Sequence, residues 1–244
     1  MSQIFEQIFT TRDWLLADGA TETNLFHSGL ETGCPPELWN VEYPDRVTTL
    51  YASFIAAGAD VILTNSFGGT SFRLKLHQAE NSVNALNLAA AGLARQAADA
   101  ADKQVLVAGS MGPTGELFQP LGALTADAAE QAFAEQAFAL AEGGADLLWI
   151  ETMSSLEEVE AAVKGARRTN LPVAATMTFD TAGRTMMGVT PAAYTEFATS
   201  LGLDAFGANC GIGPAELLDS VPKFQHRKKT SCNRERQSWH SCLC

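Results

Sequence analysis

The sequence lacks a long apolar run, a basic N-terminal segment and an excess of positive charge. No stretch of about 18 uninterrupted apolar residues occurs, which excludes a transmembrane helix. The N-terminal segment MSQIFEQIFTTRDW contains two acidic residues and lacks the basic region of a signal peptide. A net charge of −12 argues against nonspecific nucleic-acid binding. We therefore expect a cytoplasmic protein with no membrane association and no nucleic-acid partner.

Cysteine is scarce in most of the chain and concentrated at its end. Only Cys34 and Cys210 occur in residues 1–222, whereas three of the five cysteines fall within residues 223–244. Sparse cysteine is typical of a reducing compartment. The charge changes at the same point, since residues 1–222 contain 10 basic and 27 acidic residues and residues 223–244 contain six and one. We predict one domain over residues 1–222 and an atypical, disordered basic tail over residues 223–244.

Short apolar runs alternate with alanine-rich helical stretches along the chain. Runs that are apolar at consecutive positions are typical of strands buried on both faces, as in a parallel sheet. The six predicted strands are residues 14–17, 60–63, 105–108, 146–150, 172–177 and 204–207. This alternation predicts an α/β fold, either a doubly wound sheet or a (β/α)8 barrel of the TIM type. Polar or small residues at the C-terminal end of every strand favour the barrel, of which the sequence contains about six of the eight βα units.

Glycine and serine mark several of the predicted helix ends. Gly58, Gly144 and Gly202 each precede a predicted strand, where a helix C-cap glycine is expected. Ser154 or Ser155 is placed to cap the helix that follows the fourth strand.

Four of the predicted strand ends carry residues that could do chemistry. Asp18 and Gly19 follow the first strand, either as a turn with a capping aspartate or as part of a site. Ser110 lies in the loop GSMGPTGE, which lacks the Lys-Ser/Thr ending of a P-loop and the G-x-G start of a dinucleotide fingerprint. Glu151 is either a paired structural charge or a ligand for an ammonium group. Cys210 is either a small buried residue, a nucleophile or a metal ligand.

Six motifs occur together and in order: DGATETNLF, PPELWN, AGADVILTNSF, GSMGPTGE, EGGADLLWIET and FGANCG. With these motifs, which span about residues 13–221, the chain resembles the zinc-dependent homocysteine S-methyltransferases. Within that family it is most similar to the bacterial betaine–homocysteine methyltransferases and to the homocysteine module of cobalamin-dependent methionine synthase. The resemblance implies a (β/α)8 barrel enzyme that transfers a methyl group from an onium donor to homocysteine, giving methionine.

The resemblance also implies a zinc site and roles for individual residues. Family members hold Zn²⁺ with three cysteines, one from the N-C-G motif, which matches Cys210, and two from a G-G-C-C loop after the eighth strand. Zinc would keep the homocysteine thiol deprotonated for attack on the methyl carbon. Asp18 and Glu151 would hold the α-ammonium group, and the backbone of the Gly19 and Ser110 loops would shape the pocket. Betaine is the expected donor, and methylcobalamin, methyl-folate or a sulfonium compound would define an alternative homocysteine module.

The chain departs from the family pattern at three places. Glu22 stands where the pattern D-G-A-T-G-T has glycine, so we expect backbone strain and an added negative charge if that position needs a positive φ. A tyrosine with which animal betaine enzymes contact the donor has no counterpart in this chain, which has Gly68 instead. The G-G-C-C loop is absent, and Cys232, Cys242 and Cys244 do not form an adjacent pair.

We interpret the segment after Pro222 as a truncated or frame-shifted end. The alternative is a genuine basic tail with zinc ligands of its own, among which His240 could be one. Loss of strands seven and eight would leave open sheet edges, which predicts poor solubility or association, for example as a homo-oligomer. We therefore expect low activity from this chain alone, with a non-catalytic remnant as an alternative. A barrel enzyme for phosphorylated sugars is less favoured, because such barrels bind phosphate after strands seven and eight.

Overall fold

The sheet of this protein is a single parallel ladder in which each strand pairs with the next along the chain. The computed structural model describes residues 14–180 and 182–224. Its five strands are β1 (Val61–Leu63), β2 (Leu106–Met111), β3 (Leu147–Met153), β4 (Val173–Met177) and β5 (Ala205–Ala208). The predicted α/β class is confirmed, as are the second to sixth of the predicted strands.

The first predicted strand, residues 14–17, is reduced to a parallel bridge between Ala17 and Val61. The backbone N–H groups of Asp60 and Val61 donate to the carbonyl of Leu16 at 2.7 and 3.1 Å. Within the described residues this segment has β1 on one side and no strand on the other. A single short ladder does not hold it in full strand geometry, so the prediction of a complete strand was wrong here.

Helices connect the strands and surround them on one side. In chain order they are α1 (Thr21–His27), α2 (Trp39–Glu42), α3 (Pro44–Ala56), α4 (Ser71–Leu74), α5 (Val83–Asp99), α6 (Ala126–Glu142), α7 (Leu156–Arg167), α8 (Pro191–Leu201) and α9 (Pro214–Ser220). Short 3₁₀ turns occupy Pro36–Leu38, Lys75–His77, Glu80–Ser82 and Val221–Lys223.

The two faces of the sheet have different partners, because successive side chains of a strand point to opposite faces. One face packs against the helices and includes Ile62, Val107, Leu148, Val173 and Phe206. The other face forms a separate cluster made of strand residues and the first segment: Val61, Leu106, Ala108, Leu147, Trp149, Ala174 and Ala205, with Leu15, Ala17 and Leu63 against them. A doubly wound sheet would have helices on both faces, so among the described residues this is barrel architecture.

Helix caps follow the sequence expectations. Ser155 is the N-cap of α7, and its Oγ accepts a hydrogen bond from the backbone N–H of Glu158 at 3.2 Å. Gly58, Gly144 and Gly202 have φ values of +112°, +101° and +64°, which a residue without a Cβ adopts at no steric cost. These predictions are confirmed.

Aromatic packing closes the described part of the chain at its C-terminal end. Phe224 is buried, with its ring 5.7 Å from that of Phe179 and 6.3 Å from that of Phe206, measured between centroids. It lies two residues beyond Pro222, where the sequence analysis placed the start of the tail. The rest of the predicted tail, residues 225–244, lies outside the described residues. No helix among those described has the length and apolar content needed to cross a bilayer.

Candidate active site

A cleft of about 700 Å³ opens at the C-terminal ends of the strands. All five residues that the sequence analysis singled out line it: Asp18, Gly19, Ser110, Glu151 and Cys210. They come from four different strand ends, so the parallel sheet brings together positions that are far apart in the chain. The structure therefore places these residues in one site, and their roles stay predictions.

Asp18 is held by the backbone at the end of β1. Its Oδ2 accepts a hydrogen bond from the N–H of Leu63 at 2.8 Å, and its own N–H donates to the carbonyl of Val61 at 2.9 Å. Burial, opposed by the hydrogen bond from the Leu63 N–H and helped by the nearby carboxylate of Glu151, raises the pKa of the Asp18 carboxyl to about 7. The site thus holds a carboxyl group that is only partly ionised at neutral pH without a cationic ligand.

Glu151 stands on the inner face at the end of β3. Its Oε1 accepts a hydrogen bond from Ser110 Oγ at 2.5 Å, and its Oε2 accepts one from Asn209 Nδ2 at 3.2 Å. Burial raises the pKa of the Glu151 carboxyl, and the Ser110 hydroxyl lowers it in part. None of the ion pairs within residues 14–180 and 182–224 includes Asp18 or Glu151. Two largely buried carboxyl groups without a cation among the described residues are well suited to bind an ammonium group.

A buried network of side chains fixes the backbone of Ser110. The N–H of Ser110 donates to Thr64 Oγ1 at 2.9 Å, and its carbonyl accepts from Ser66 Oγ at 2.8 Å and Gln136 Nε2 at 3.4 Å. Gln136 Nε2 also donates to the carbonyl of Ser66 at 2.7 Å and to Asn87 Oδ1 at 3.2 Å. We call Thr64, Ser66, Asn87, Ser110 and Gln136 the amide network. It ties α5 and α6 to the loops after β1 and β2, and all five members are buried.

A third carboxylate, that of Glu37, lies further out in the cleft. Glu37 is 4% exposed, its Oε1 accepts from the N–H of Gly68 at 2.5 Å, and burial raises its pKa. A Cβ atom at Gly68 would lie 2.9 Å from Glu37 Oε1. A side chain at position 68 would therefore crowd the buried carboxylate of Glu37.

Cys210 lines the same cleft, two residues after the end of β5. The described cysteines are both free thiols and both exposed. Within the described residues the polar neighbours of the Cys210 sulfur are Asn209 Nδ2 at 3.5 Å and Thr152 Oγ1 at 3.9 Å. Cys210 has φ +58°, which turns the chain out of β5 toward Gly211.

Comparison with known proteins identifies the family. The family model described as homocysteine S-methyltransferase matches residues 15–239. The chain belongs to this family. It is 33% identical over 224 residues to proteins named methionine synthase from Mycobacterium tuberculosis and Mycobacterium leprae. That match covers 85% of this chain and 18% of each relative, so the chain spans less than one fifth of their length.

Solved structures show the same fold. Crystal structures of the homocysteine methyltransferase MmuM from Escherichia coli, in oxidised and metallated forms, superpose with TM-scores of 0.75 and 0.74. Both are 23% identical and cover 91% of this chain, with 80% and 81% of MmuM covered. The homocysteine S-methyltransferase chain is therefore a partial TIM-type barrel, as its sequence predicts.

Zinc, which the family resemblance implies, was tested against the residues present. A catalytic zinc site takes about three protein ligands. Among the described residues, no group of three or more His, Cys, Asp or Glu side chains is placed to hold a metal ion. Cys210 supplies one thiol, and Cys232, Cys242 and Cys244 lie outside the described residues. The described part of the chain thus does not fit a complete zinc site, and no chemical step is derived through the metal.

The backbone at Glu22 does not need the positive φ on which the expectation of strain depended. Glu22 lies in α1 and is not among the described residues with positive φ, because the chain has already entered a helix at Thr21. It lines the cleft and adds negative charge there.

Sequence reasoning missed several side chains of the cleft. Arg73 and His77 line it without any motif marking them beforehand, and Thr152 was visible only as the last residue of the motif EGGADLLWIET. Asn209 was visible only as part of the motif F-G-A-N-C-G, and Trp149 only as a packing residue. Trp149 is indeed buried, but its Nε1 also donates to Thr176 Oγ1 at 3.3 Å and its ring borders the cleft. Asn209 could have been found from its position, because it directly follows the last residue of β5, where parallel strands of a barrel carry their site residues.

Proposed function

We propose that this chain binds homocysteine and transfers a methyl group to its sulfur, which gives methionine. The observation that carries the proposal is the pair of largely buried carboxyl groups, Asp18 and Glu151, which share one cleft and form no ion pair among the described residues. An amino acid brings an ammonium group that would neutralise them. The family membership supplies the amino acid, homocysteine.

Each residue has a stated part in this proposal. Asp18 and Glu151 accept hydrogen bonds from the α-ammonium group, and Ser110 fixes the orientation of Glu151. Backbone groups of the Gly19 and Ser110 loops shape the pocket for the rest of the amino acid. The homocysteine thiol releases its proton to solvent, and the resulting thiolate attacks the methyl carbon of the donor in line. The C–S bond forms as the bond from the methyl carbon to the donor's onium atom breaks, and the donor keeps that electron pair.

We propose betaine as the methyl donor. Carboxylates and aromatic rings line the cleft, among them Glu22, Phe67 and Trp149, and both kinds of group attract a quaternary ammonium ion. Methylcobalamin, methyl-folate and sulfonium donors are the competing possibilities. Methionine formation measured with each donor separately, from the same protein preparation, distinguishes them, and a rate with betaine below that with another donor would contradict this part of the proposal.

Cys210 is proposed as one ligand of a zinc ion whose remaining ligands would come from outside the described residues. The test is zinc content per chain for the wild type, for Cys210→Ser and for the triple change of Cys232, Cys242 and Cys244 to serine. We expect Cys210→Ser to lower zinc retention, and equal zinc content in the wild type and Cys210→Ser would overturn this assignment.

Homocysteine recognition is tested most simply with Glu151→Gln. Glutamine keeps the size of the side chain and removes its charge, so affinity for L-homocysteine should fall by about 100-fold, roughly 3 kcal/mol, as for the loss of one partner of a buried charged pair. Glu160→Gln is the matched control, since Glu160 is an exposed residue of α7 whose carboxylate pairs with Lys164 at 2.8 Å. Calorimetry that finds equal affinity in wild type and Glu151→Gln would refute the proposed role.

A non-catalytic homocysteine-binding protein is the second candidate, because the described residues supply a single zinc ligand. It predicts homocysteine binding without methionine formation from any donor. Steady methionine formation by the purified chain, with close to one zinc per chain, would exclude it.

A further inference from the structure

Thr152 has an unusual backbone conformation at the candidate site. Its φ is +62°, in the left-handed region that β-branched residues rarely adopt. It directly follows Glu151, and the β3–β4 pairing shifts register between Ile150 and Met153, the stretch that contains both residues. A strained residue beside a binding carboxylate persists only if its surroundings hold it in place.

The side chain of Asn209 holds Thr152 from the neighbouring strand end. Asn209 Oδ1 accepts from the N–H of Thr152 at 2.9 Å, and Asn209 Nδ2 donates to Thr152 Oγ1 at 2.8 Å. The same Nδ2 donates to Glu151 Oε2 at 3.2 Å. One amide therefore contacts the strained backbone, its side chain and the adjacent carboxylate.

Asn209 is itself fixed by β4. Its N–H donates to the carbonyl of Met177 at 3.2 Å, and its carbonyl accepts from Thr178 Oγ1 at 3.0 Å. The amide thus approaches Thr152 from a backbone that is anchored on both sides. Asn209 follows β5, and these contacts let it support the end of β3.

We propose that Asn209 is a positioning residue that holds the end of β3 in its left-handed conformation and thereby aims the Glu151 carboxylate at the ammonium group of the bound amino acid. The inference rests on the proposed function, since it deepens the account of the same binding site. Asn209 supports Glu151 from the Oε2 side, and Ser110 supports it from the Oε1 side. Loss of either support lets the carboxylate rotate away from the ligand.

The test uses the full chain and the probe L-homoserine, which keeps the amino-acid group of homocysteine and has no thiol. Binding is measured by calorimetry in the presence of a chelator, so that metal content does not enter. We expect Asn209→Ala to weaken homoserine binding by about 10-fold or more. Asn84→Ala, at an exposed position of α5, is the matched control and should bind as the wild type does.

A second change separates positioning from a general structural role. Thr152→Gly removes the steric cost of the positive φ and keeps the backbone N–H, so the end of β3 no longer depends on Asn209 to adopt its conformation. In the Asn209→Ala background, Thr152→Gly should recover at least half of the lost affinity on a logarithmic scale. A residue that only stabilises the fold would show no such recovery. Asn209→Ser carries the same test if Asn209→Ala does not fold, as judged by thermal unfolding.

The outcomes are distinguishable. Weaker binding that Thr152→Gly partly restores supports the proposal. Wild-type affinity in Asn209→Ala, or a loss that Thr152→Gly leaves unchanged, overturns it. If the wild-type chain binds neither homoserine nor homocysteine, the proposed function fails, and the positioning role fails with it.

Discussion

The two ends of the cleft are built differently. We call Asp18, Ser110 and Glu151 the amino-acid end and Cys210 the cysteine end. The carboxyl groups of the amino-acid end are largely buried and accept hydrogen bonds of 2.5 to 3.2 Å from backbone and side chains. The cysteine end is one exposed thiol with contacts of 3.5 and 3.9 Å. In the described residues, the recognition of an amino acid is thus preformed, whereas a metal centre is not.

The difference follows from what lies behind each end. Behind the amino-acid end, the amide network connects two helices to two loops, with every member buried. Buried polar groups of this kind are costly to rearrange, so they fix the backbone that they contact. At the cysteine end the chain leaves β5 through Cys210, φ +58°, and Gly211, φ +103°, and within the described part of the chain the polar contacts of the thiol are with Asn209 and Thr152. Four changes test this comparison.

The largest effect is expected from Asp18→Asn. The folded-state pKa of about 7 lies above the ordinary aspartate value of 3.8, so the folded chain binds more protons than the unfolded chain between these values. The free energy of unfolding therefore falls as pH rises from about 4 to about 7, by at most about 4 kcal/mol from this group. Asparagine retains an acceptor for the Leu63 N–H and carries no charge, so the variant should be the more stable protein at pH 8.

Urea unfolding at pH 5 and pH 8 measures this change. The wild type should lose more stability between the two pH values than Asp18→Asn does, and the variant should also bind homocysteine more weakly. An equal pH dependence in both proteins would show that Asp18 is not a buried, destabilised carboxyl group.

Gln136→Leu is expected to have the next largest effect. Leucine removes the amide donor from Asn87 Oδ1 and from the carbonyls of Ser66 and Ser110, which keep the N–H of Gly69 and the Oγ of Ser66 as donors. One buried acceptor is then left without its partner, which costs about 1–3 kcal/mol, and we expect the free energy of unfolding to fall by about that amount. Gln131→Leu, at an exposed position of the same helix, should change it by less than about 0.5 kcal/mol. Similar unfolding midpoints for Gln136→Leu and Gln131→Leu would contradict the importance given to the amide network.

Cys210→Ser should matter much less for amino-acid binding. The sulfur is exposed, and serine retains a hydrogen-bonding atom at the same place, so affinity for L-homoserine in a chelator should change by less than about twofold. Cys34→Ser, which replaces the other described cysteine, provides the comparison. A loss of homoserine affinity near that of Glu151→Gln would mean that the two ends are not independent.

Glu22→Gln should have the smallest effect. Glu22 is exposed at the start of α1, and it repels the carboxylate of Glu37, but water screens charges at exposed positions. We expect less than a twofold gain in affinity for an anionic or zwitterionic ligand, and the gain should shrink as salt is added. A gain of tenfold or more in calorimetry would show that this departure from the family pattern impairs the site.

Much of the architecture could be predicted because its causes are local. Runs of consecutive apolar residues predicted the second to sixth strands. Ser155, Gly58 and Gly144 indicated helix ends, because each residue type has its own preference for that position. The strand-end residues Asp18, Ser110, Glu151 and Cys210 share a cleft because parallel strands align their C-terminal ends.

The remainder depends on contacts that no local pattern records. The hydrogen bond between Gln136 and Ser66 joins positions 70 residues apart, and that between Thr152 and Asn209 joins positions 57 apart. The left-handed conformation of Thr152 runs against its intrinsic preference, so propensity predicts the opposite. Among the described residues, the first predicted strand likewise has β1 as its single neighbour and is reduced to one bridge.

The most direct test is a calorimetric titration of the purified chain with L-homocysteine and with L-homoserine, each in the presence of a chelator. A preformed amino-acid end predicts that both ligands bind without metal, with affinities within about threefold of each other, and that Glu151→Gln removes both signals. Binding of homocysteine only after zinc is added, with no detectable binding of homoserine, would contradict the account, because recognition would then reside at the metal and not in Asp18 and Glu151.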